Sequence, residues 1–295
     1  MKKGFIFSLI FSACVLVGCS KSDDRTFNSL QQSDRTFNSL QQSGLKGPVQ
    51  RVETRTYEAS LRFGEIEKGE LADVMNIYSS LTICPHFINE FNKDGNTTKV
   101  TVIDNRERIY QIHKLEYFQN HEIAYFLYEA DGQLSLSRKY ILENGKPVGM
   151  EYYSPSYHYD SILCMFDGFN PTKVIYYRDG KIEQKVENRY QNGILVSSAN
   201  YQQAGTGYYS DWTINDAGMV THYRFRDDKK DLTVEDLSYN QHLITRYTRF
   251  NSWEGKVDYT MEYLTFDEQG NWLSRVICQN DQPLYLQERT IEYYK

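Results

Sequence analysis

From about residue 90 onward, apolar and polar residues alternate with a period of two, and short polar loops ending in glycine cut the alternation at regular intervals. The alternating rows are legible in Leu134, Leu136, Arg138, Tyr140; in Ile182, Gln184, Val186, Asn188, Tyr190; in Leu195, Ser197, Ala199, Tyr201; and in Val257, Tyr259, Met261, Tyr263. Loops fall at Phe91–Gly95, Tyr128–Gly132, Leu142–Gly145, Tyr177–Gly180, Tyr190–Gly193, Ile214–Gly218, Phe250–Gly255 and Phe266–Gly270. Weaker ones fall near Asp104, Gln119, Asp227, Asn240 and Gln279. In Asn92-Lys93-Asp94-Gly95 and Asp267-Glu268-Gln269-Gly270 the first residues suit a type I turn. The glycine then supplies the positive φ that returns the chain to the ladder as a bulge. Period two with a turn after every strand predicts an all-β chain, an antiparallel meander of repeated hairpins.

Many strands carry aromatic or long side chains on both sides, as in Thr260, Glu262, Leu264 and Phe266 opposite the Val257–Tyr263 row. A sandwich wants one cleanly apolar face per strand. Two semi-polar faces, covered by Tyr, Lys, Arg and Glu stems, predict instead an extended or curled single sheet.

Before residue 90 the pattern is less regular. Gln50–Leu61 reads as a strand with Val52, Thr54 and Thr56 on one face and Arg51, Glu53, Arg55 and Tyr57 on the other. Over 64–82, Leu71, Val74, Met75 and Tyr78 have helical spacing while Gly64 and Gly69 interrupt it. One short helix near 70–80 or a pair of strands accounts for that stretch. The folded domain is expected to run 45–295, from Leu45-Lys46-Gly47-Pro48-Val49. Ahead of it, Asp24–Ser33 is repeated without change as Asp34–Ser43, which reads as a tether lengthened by duplication. Its Ser, Asn, Gln and Asp content predicts a disordered linker over 19–44, with a short helix in each copy as the alternative.

The start of the chain changes the picture most. Lys2 and Lys3 precede an apolar run, Gly4–Val17, too short to span a bilayer as a mature helix. It ends in Leu16-Val17-Gly18-Cys19, which resembles the lipobox of bacterial lipoproteins. The resemblance implies that residues 1–18 are a signal peptide removed before Cys19, whose sulfur receives diacylglycerol and whose amine is usually acylated. Several acyl chains on one residue suffice for stable anchoring, so a membrane is the expected partner. The resemblance places the chain at the outer membrane, on its periplasmic or cell-surface face. Ser20-Lys21-Ser22-Asp23-Asp24 resembles a surface-export signal of some Gram-negative lipoproteins; an ordinary hydrophilic tether explains the same residues.

Removal of 18 residues from 295 leaves 277, and loss of Lys2 and Lys3 leaves 31 basic against 39 acidic side chains, a net of −8. Such a chain lacks the basic stripe that nucleic acid requires. Of five cysteines, Cys14 leaves with the signal and Cys19 is the lipidation residue, so Cys84, Cys164 and Cys278 remain. They allow at most one disulfide and have no C-x-x-C spacing; buried, inert thiols are the expectation.

Phe266-Asp267-x-x-Gly270-Asn271-x-Leu273-x-Arg275 and Phe91-x-x-Asp94-Gly95-Asn96 resemble the YD repeats of Rhs-type proteins and of β-meander surface lipoproteins. Tyr177-Arg-Asp-Gly-Lys and Tyr190-Gln-Asn-Gly-Ile resemble MORN-like repeats. Most units here lack the aspartate after the aromatic. The resemblance implies an extended antiparallel sheet outside the cytoplasm and brings no catalytic residue.

Reactive constellations are absent from the sequence. His86, His113, His121, His158, His222 and His242 are scattered without metal-ligand spacing. Asn92–Asn96 resembles a calcium loop, but its twelfth position is Ile103 rather than glutamate, so a turn explains it. No nucleophile elbow, P-loop or dinucleotide fingerprint occurs, and Asp227/Asp228 is one carboxylate pair among many. No cofactor or metal is therefore expected, and the chain reads as non-enzymatic. Aromatics offer the remaining chemistry: Tyr153 and Tyr157 near Pro155, and Tyr208, Tyr209 and Trp212 after Gly207, as candidate binding residues for protein or glycan. Two functions fit: a lipid-anchored sheet that binds proteins or envelope components, or a glycan-binding accessory lipoprotein of a nutrient-uptake system.

Overall fold

The computed structural model describes residues 39–73, 86–155, 158–191, 193–203, 205–253 and 255–295. Among these, one short helix, α1 (Ser39–Gln42), precedes nineteen strands, and every strand pairing is antiparallel. Two compact units form, His113–Val234 and Phe37–Ile112 with Glu235–Lys295. Strands β5 (Ile109–Phe118) and β15 (Asp231–Asn240) contain the boundaries.

The unit holding the first and last strands contains β1 (Val49–Arg62), β2 (Glu65–Leu71), β3 (His86–Phe91) and β4 (Thr97–Ile103) from the early chain. From the late chain come β16 (Leu243–Asn251), β17 (Gly255–Phe266), β18 (Trp272–Gln279) and β19 (Gln282–Tyr293). Here β1 pairs with β19 from Val49↔Tyr293 to Glu58↔Tyr285, so the first and last strands of the chain are neighbours. The same strand pairs with β3 on its other side and, further along, with β2. The sequence predicts the face of β1 correctly: Val52, Thr54 and Thr56 are buried while Arg51, Glu53, Arg55 and Tyr57 stand half-exposed opposite. Over 64–82 the strand pair prevails as far as Leu71; residues 74–80 lie outside the described residues.

Order begins ahead of Leu45. The second decapeptide copy supplies α1, whose Leu40 is buried with Leu45, Val49, Val52 and Phe91. Leu40 N–H donates to the Gly95 carbonyl, and Thr97 N–H donates to Ser39 Oγ. The following residues are held by Asn271, whose Oδ1 accepts from Lys46 N–H at 2.7 Å and whose Nδ2 donates to the Lys46 carbonyl at 2.9 Å. Residues 39–44, expected as linker, are instead ordered because Leu40 finds an apolar pocket; the rest of the expected linker lies outside the described residues.

The other unit is a run of hairpins: β6 (His121–Glu129), β7 (Leu134–Glu143), β8 (Lys146–Tyr153), β9 (Ser161–Asp167), β10 (Asn170–Arg178), β11 (Lys181–Gln191), β12 (Ile194–Gln202), β13 (Gly207–Ile214) and β14 (Val220–Asp227). Tyr140, Met150, Val174, Tyr176 and Val186 form its main apolar cluster. The faces are cleaner than the sequence suggests, since β7 buries Leu136, Arg138 and Tyr140, and β11 buries Gln184, Val186 and Asn188. Polar residues are part of the buried face, which is why composition alone makes both faces look alike. On β12 the expected row is inverted: Leu195 is buried, but then Ser198 and Asn200 are buried while Tyr201 is exposed. The register against β11 shifts between Arg189↔Ser197 and Tyr190↔Leu195, so Val196 is a bulge. One extra residue moves every later side chain to the opposite face.

Two loop types carry the meander. Among the described residues six loops share one frame, in which the first residue exchanges backbone hydrogen bonds with the fourth and fifth. They start at Asn92, Asp104, Glu129, Gln202, Asn215 and Asp267. Their fourth residue has positive φ, as at Gly95 (81°) and Gly270 (77°), and in one case it is Glu107 (60°). The Asn92, Asp104, Asn215 and Asp267 side chains each accept two further backbone N–H bonds from their own loop. The calcium-like stretch at Asn92 is therefore a turn. Tighter connections, such as Asn144-Gly145, Asp179-Gly180 and Phe63-Gly64, have two successive positive φ values, the type I′ turn.

Candidate functional site

Alternation along β13 splits the aromatic cluster that the sequence groups together. Ser210 and Trp212 are buried, and Tyr208 lies on their side of the strand, stacked on Phe225 with ring centroids 5.9 Å apart. Trp212 is 5% exposed and stacks on Tyr223 at 5.7 Å, so it is a buried residue rather than part of an exposed platform. The physical reason is the period of two: residues 208, 210 and 212 necessarily share a face. Tyr209 alone projects to the other side.

Around Tyr209 the outer face carries a compact group. The Arg226 guanidinium lies 4.1 Å from the Tyr209 ring centroid, and Tyr201 meets that ring edge-on at 6.1 Å. The Tyr209 hydroxyl donates to Asp228 Oδ1 at 3.0 Å, and Gly207 N–H donates to Asp228 Oδ2 at 2.7 Å. The hydrogen bond to the Asp228 carboxylate raises the Tyr209 phenol above its ordinary range, since it holds the proton on the hydroxyl. Gly207 is indispensable to the arrangement: a Cβ there would lie 2.6 Å from the Tyr209 hydroxyl oxygen and 2.7 Å from Asp228 Oδ1. Lys185 extends the row, 5.2 Å from the Tyr201 ring and 2.7 Å from Glu187.

The Asp227/Asp228 pair is divided between two tasks. Asp227 accepts the Lys229 and Lys230 backbone N–H groups, which hold its carboxyl below the usual range. Asp228 serves Tyr209 and Gly207. Neither carboxylate faces the other across a cleft, as paired general acid and base would. Arg226 and Asp228 complete the group around Tyr209. Sequence reasoning did not assign them there, although the loop at Ile214–Gly218 announces that β14 folds back alongside β13.

The other expected residues are dispersed. Tyr153 is 50% exposed at the end of β8. Its neighbour Tyr152 turns inward against Tyr159 and Tyr176, and burial raises its phenol. Tyr157, Cys19 and Cys84 lie outside the described residues. Cys164 and Cys278 are free thiols, half-buried, with burial raising both, Cys164 to about 12. His86 and His113 are buried; Thr56 N–H donates to His86 Nδ1, and burial lowers the His86 imidazole. Among the described residues no group of three or more His, Cys, Asp or Glu could hold a metal ion.

Two buried charged side chains elsewhere have hydrogen-bond partners. Arg138 donates to Glu122 on the buried face of the β6–β14 unit. In the other unit Tyr247 donates to Glu235 Oε1 at 2.9 Å, and burial raises that carboxyl to about 7. Outer faces of both units carry ion pairs, within a strand at Arg51–Glu53 and Lys185–Glu187 and between strands at Lys68–Glu288, Lys99–Glu90, Arg246–Asp258 and Arg224–Asp231.

No family model matches the chain, and no curated protein matches its sequence. Among solved structures, a porin-like protein from Bacteroides uniformis ATCC 8492 is similar at 11% identity, over 84% of this chain and 98% of that one, with a TM-score of 0.40. A porin-like protein from Bacteroides vulgatus ATCC 8482 is similar at 7% identity, over 84% and 99%, with a TM-score of 0.37.

Proposed function

We propose that this chain is a non-enzymatic lipoprotein of the cell envelope, held to the outer membrane by acyl chains on Cys19, with its β-meander in water as a binding surface for proteins or envelope components. The observation that carries the reading is the outer face. A strand facing lipid must present an apolar band, and an Arg or Lys there costs roughly 2–4 kcal/mol at the bilayer midplane. This sheet instead sets Arg51, Glu53 and Arg55 in one outward row and Lys173, Lys185 and Glu187 in another. No helix among the described residues is long and apolar enough to cross a membrane. A water-facing sheet that resides at a membrane needs an external anchor, and the lipobox-like start supplies one.

The exposed Tyr201 with the half-buried Tyr209 and Arg226 favours protein over glycan as partner. Arg226 already covers one face of Tyr209, and Trp212 is buried, so this group offers no flat platform of the kind that sugar rings stack on. Cell fractionation of the full chain and of Cys19→Ala tests the proposal. The natural chain should enter the detergent phase and yield an N-terminal peptide beginning at an acylated Cys19, while the variant should be water-soluble. A variant that stays integrated in membranes overturns it.

A further inference from the structure

Beyond the Glu58↔Tyr285 rung that β1 shares with β19, β1 and β2 continue, among the described residues, as a two-stranded ribbon through Ala59↔Lys68, Ser60↔Glu67, Leu61↔Ile66 and Arg62↔Glu65. Four rungs at about 3.3 Å each project the tip about 13 Å past that neighbour. A two-stranded ribbon is marginally stable by itself, so its length calls for a use. At its tip stands Phe63, 97% exposed, with Leu61 53% exposed behind it. Phe63 has φ of 53°, a left-handed conformation that costs a bulky side chain about a kcal/mol or more. Equivalent type I′ positions hold Asn144 and Asp179, which suit that geometry. Among the described non-glycine residues with positive φ, Phe63 is the one apolar side chain. A strained, solvated phenylalanine where asparagine would serve is an anchor displayed at the cost of stability.

The ribbon's charge defines what it fits. Arg62 is paired with Glu67 at 3.2 Å and Lys68 with Glu288 at 2.6 Å, while Glu65 and Glu70 have no ion-pair partner among the described residues. The tip is thus apolar with an acidic flank, which disfavours an anionic lipid surface. Its complement lies on the outer face of β9–β11. Leu163 and Met165 are 47% and 49% exposed on β9. They sit opposite Ile175 and Lys173 of β10, with Lys185 of β11 next in the row beside Ile175. Lys173 and Lys185 share the single carboxylate of Glu187, at 3.8 and 2.7 Å, so that apolar surface has a net positive flank on its β10–β11 side, while Asp167 ends the β9 row.

We propose that the ribbon tip led by Phe63 docks on the lysine-flanked surface of Leu163 and Met165 in a second copy of this chain. The contact is heterologous, tip to sheet, so copies link head to tail into a ring or a row. Its small area makes it weak between free molecules, and confinement of copies to one surface raises their effective concentration.

The test uses the full chain in intact cells, with photoreactive benzoylphenylalanine at position 63 and a co-expressed epitope-tagged natural copy. Irradiation should give a product of two chain masses carrying the tag, with the crosslinked peptide containing Leu163 or Met165. Phe63→Asn should lower co-purification of tagged with untagged copies about tenfold or more, as expected for a central aromatic anchor. Its Tm should stay level or rise, since asparagine suits the turn. Lys173→Glu should weaken association through the receiving face. Crosslinks to lipid or to another protein alone, absence of any product, or unchanged association in Phe63→Asn would each overturn the proposal.

Discussion

On β7–β11 the buried face is filled by Tyr140, Met150, Val174, Tyr176 and Val186. On β17–β19 and β1 it carries a row of polar residues instead, Tyr263, Arg275, Gln287 and Thr56, set opposite one another by the strand register. There Arg275 Nε donates to Gln287 Oε1 at 2.8 Å, Gln287 Nε2 donates to Thr56 Oγ1 at 2.9 Å, and an Arg275 terminal amine donates to the Tyr263 hydroxyl at 3.2 Å. The Arg275 guanidinium also lies 4.6 Å from the Trp272 ring. Apolar burial is non-directional and tolerates small shifts. A chain of hydrogen bonds in low dielectric is worth having only when each member is satisfied, and it fixes the register of four strands at once.

The sharpest way to break the apolar region is Tyr176→Ala, which empties the centre of the β7–β11 cluster. It should cost about 3–5 kcal/mol, read from the urea midpoint. Next comes Arg275→Ala in the polar row. Gln287 Oε1 is then buried without its donor, and the loss should be about 2–4 kcal/mol. Gln287→Leu combined with Arg275→Met should recover much of that, because no polar atom of the pair is left stranded. If the double variant is no better than the single one, the row matters through shape rather than hydrogen bonding.

Glu235→Gln makes a smaller, pH-dependent change. In the folded chain burial raises this carboxyl to about 7 from its ordinary value of 4.5. Between those values the folded state binds more protons than the unfolded one. Stability from this group is therefore complete below about pH 4.5 and declines as pH rises to about 7, by something on the order of 2 kcal/mol. Glutamine keeps an acceptor for the Tyr247 hydroxyl and cannot ionise, so urea midpoints of the variant should exceed those of the natural chain at pH 8 and match them near pH 4.5. The smallest effect belongs to Arg246→Ala, whose exposed pair with Asp258 is screened by solvent. Its urea midpoint should not move at physiological salt.

How much of this was legible in the sequence follows from the same contrast. Glycine-closed loops and period-two rows gave the antiparallel meander, because turn chemistry and side-chain alternation are local. The faces of β1 and β7 were readable for that reason. The face of β12 was not, since a bulge at Val196 obeys its pairing with β11 rather than any local signal. Trp212 shows the converse error: adjacency in the chain grouped it with Tyr209, although alternation sends the two to opposite faces. Arg275 belongs to the best of the YD-like stretches, yet its place in a buried row depends on Gln287 and Thr56, which only the register brings together. Leu40 escaped notice because one apolar residue in a polar tether has no period.

The central claim is that the charged outward rows of this sheet stand in water while the chain is bound to its membrane. Spin labels at Glu187 and Asp258, measured in native membranes by power saturation, test it most directly. The account predicts strong relaxation by a water-soluble nickel chelate and weak relaxation by oxygen at both positions. Preferential relaxation by oxygen, as for side chains in hydrocarbon, would contradict it.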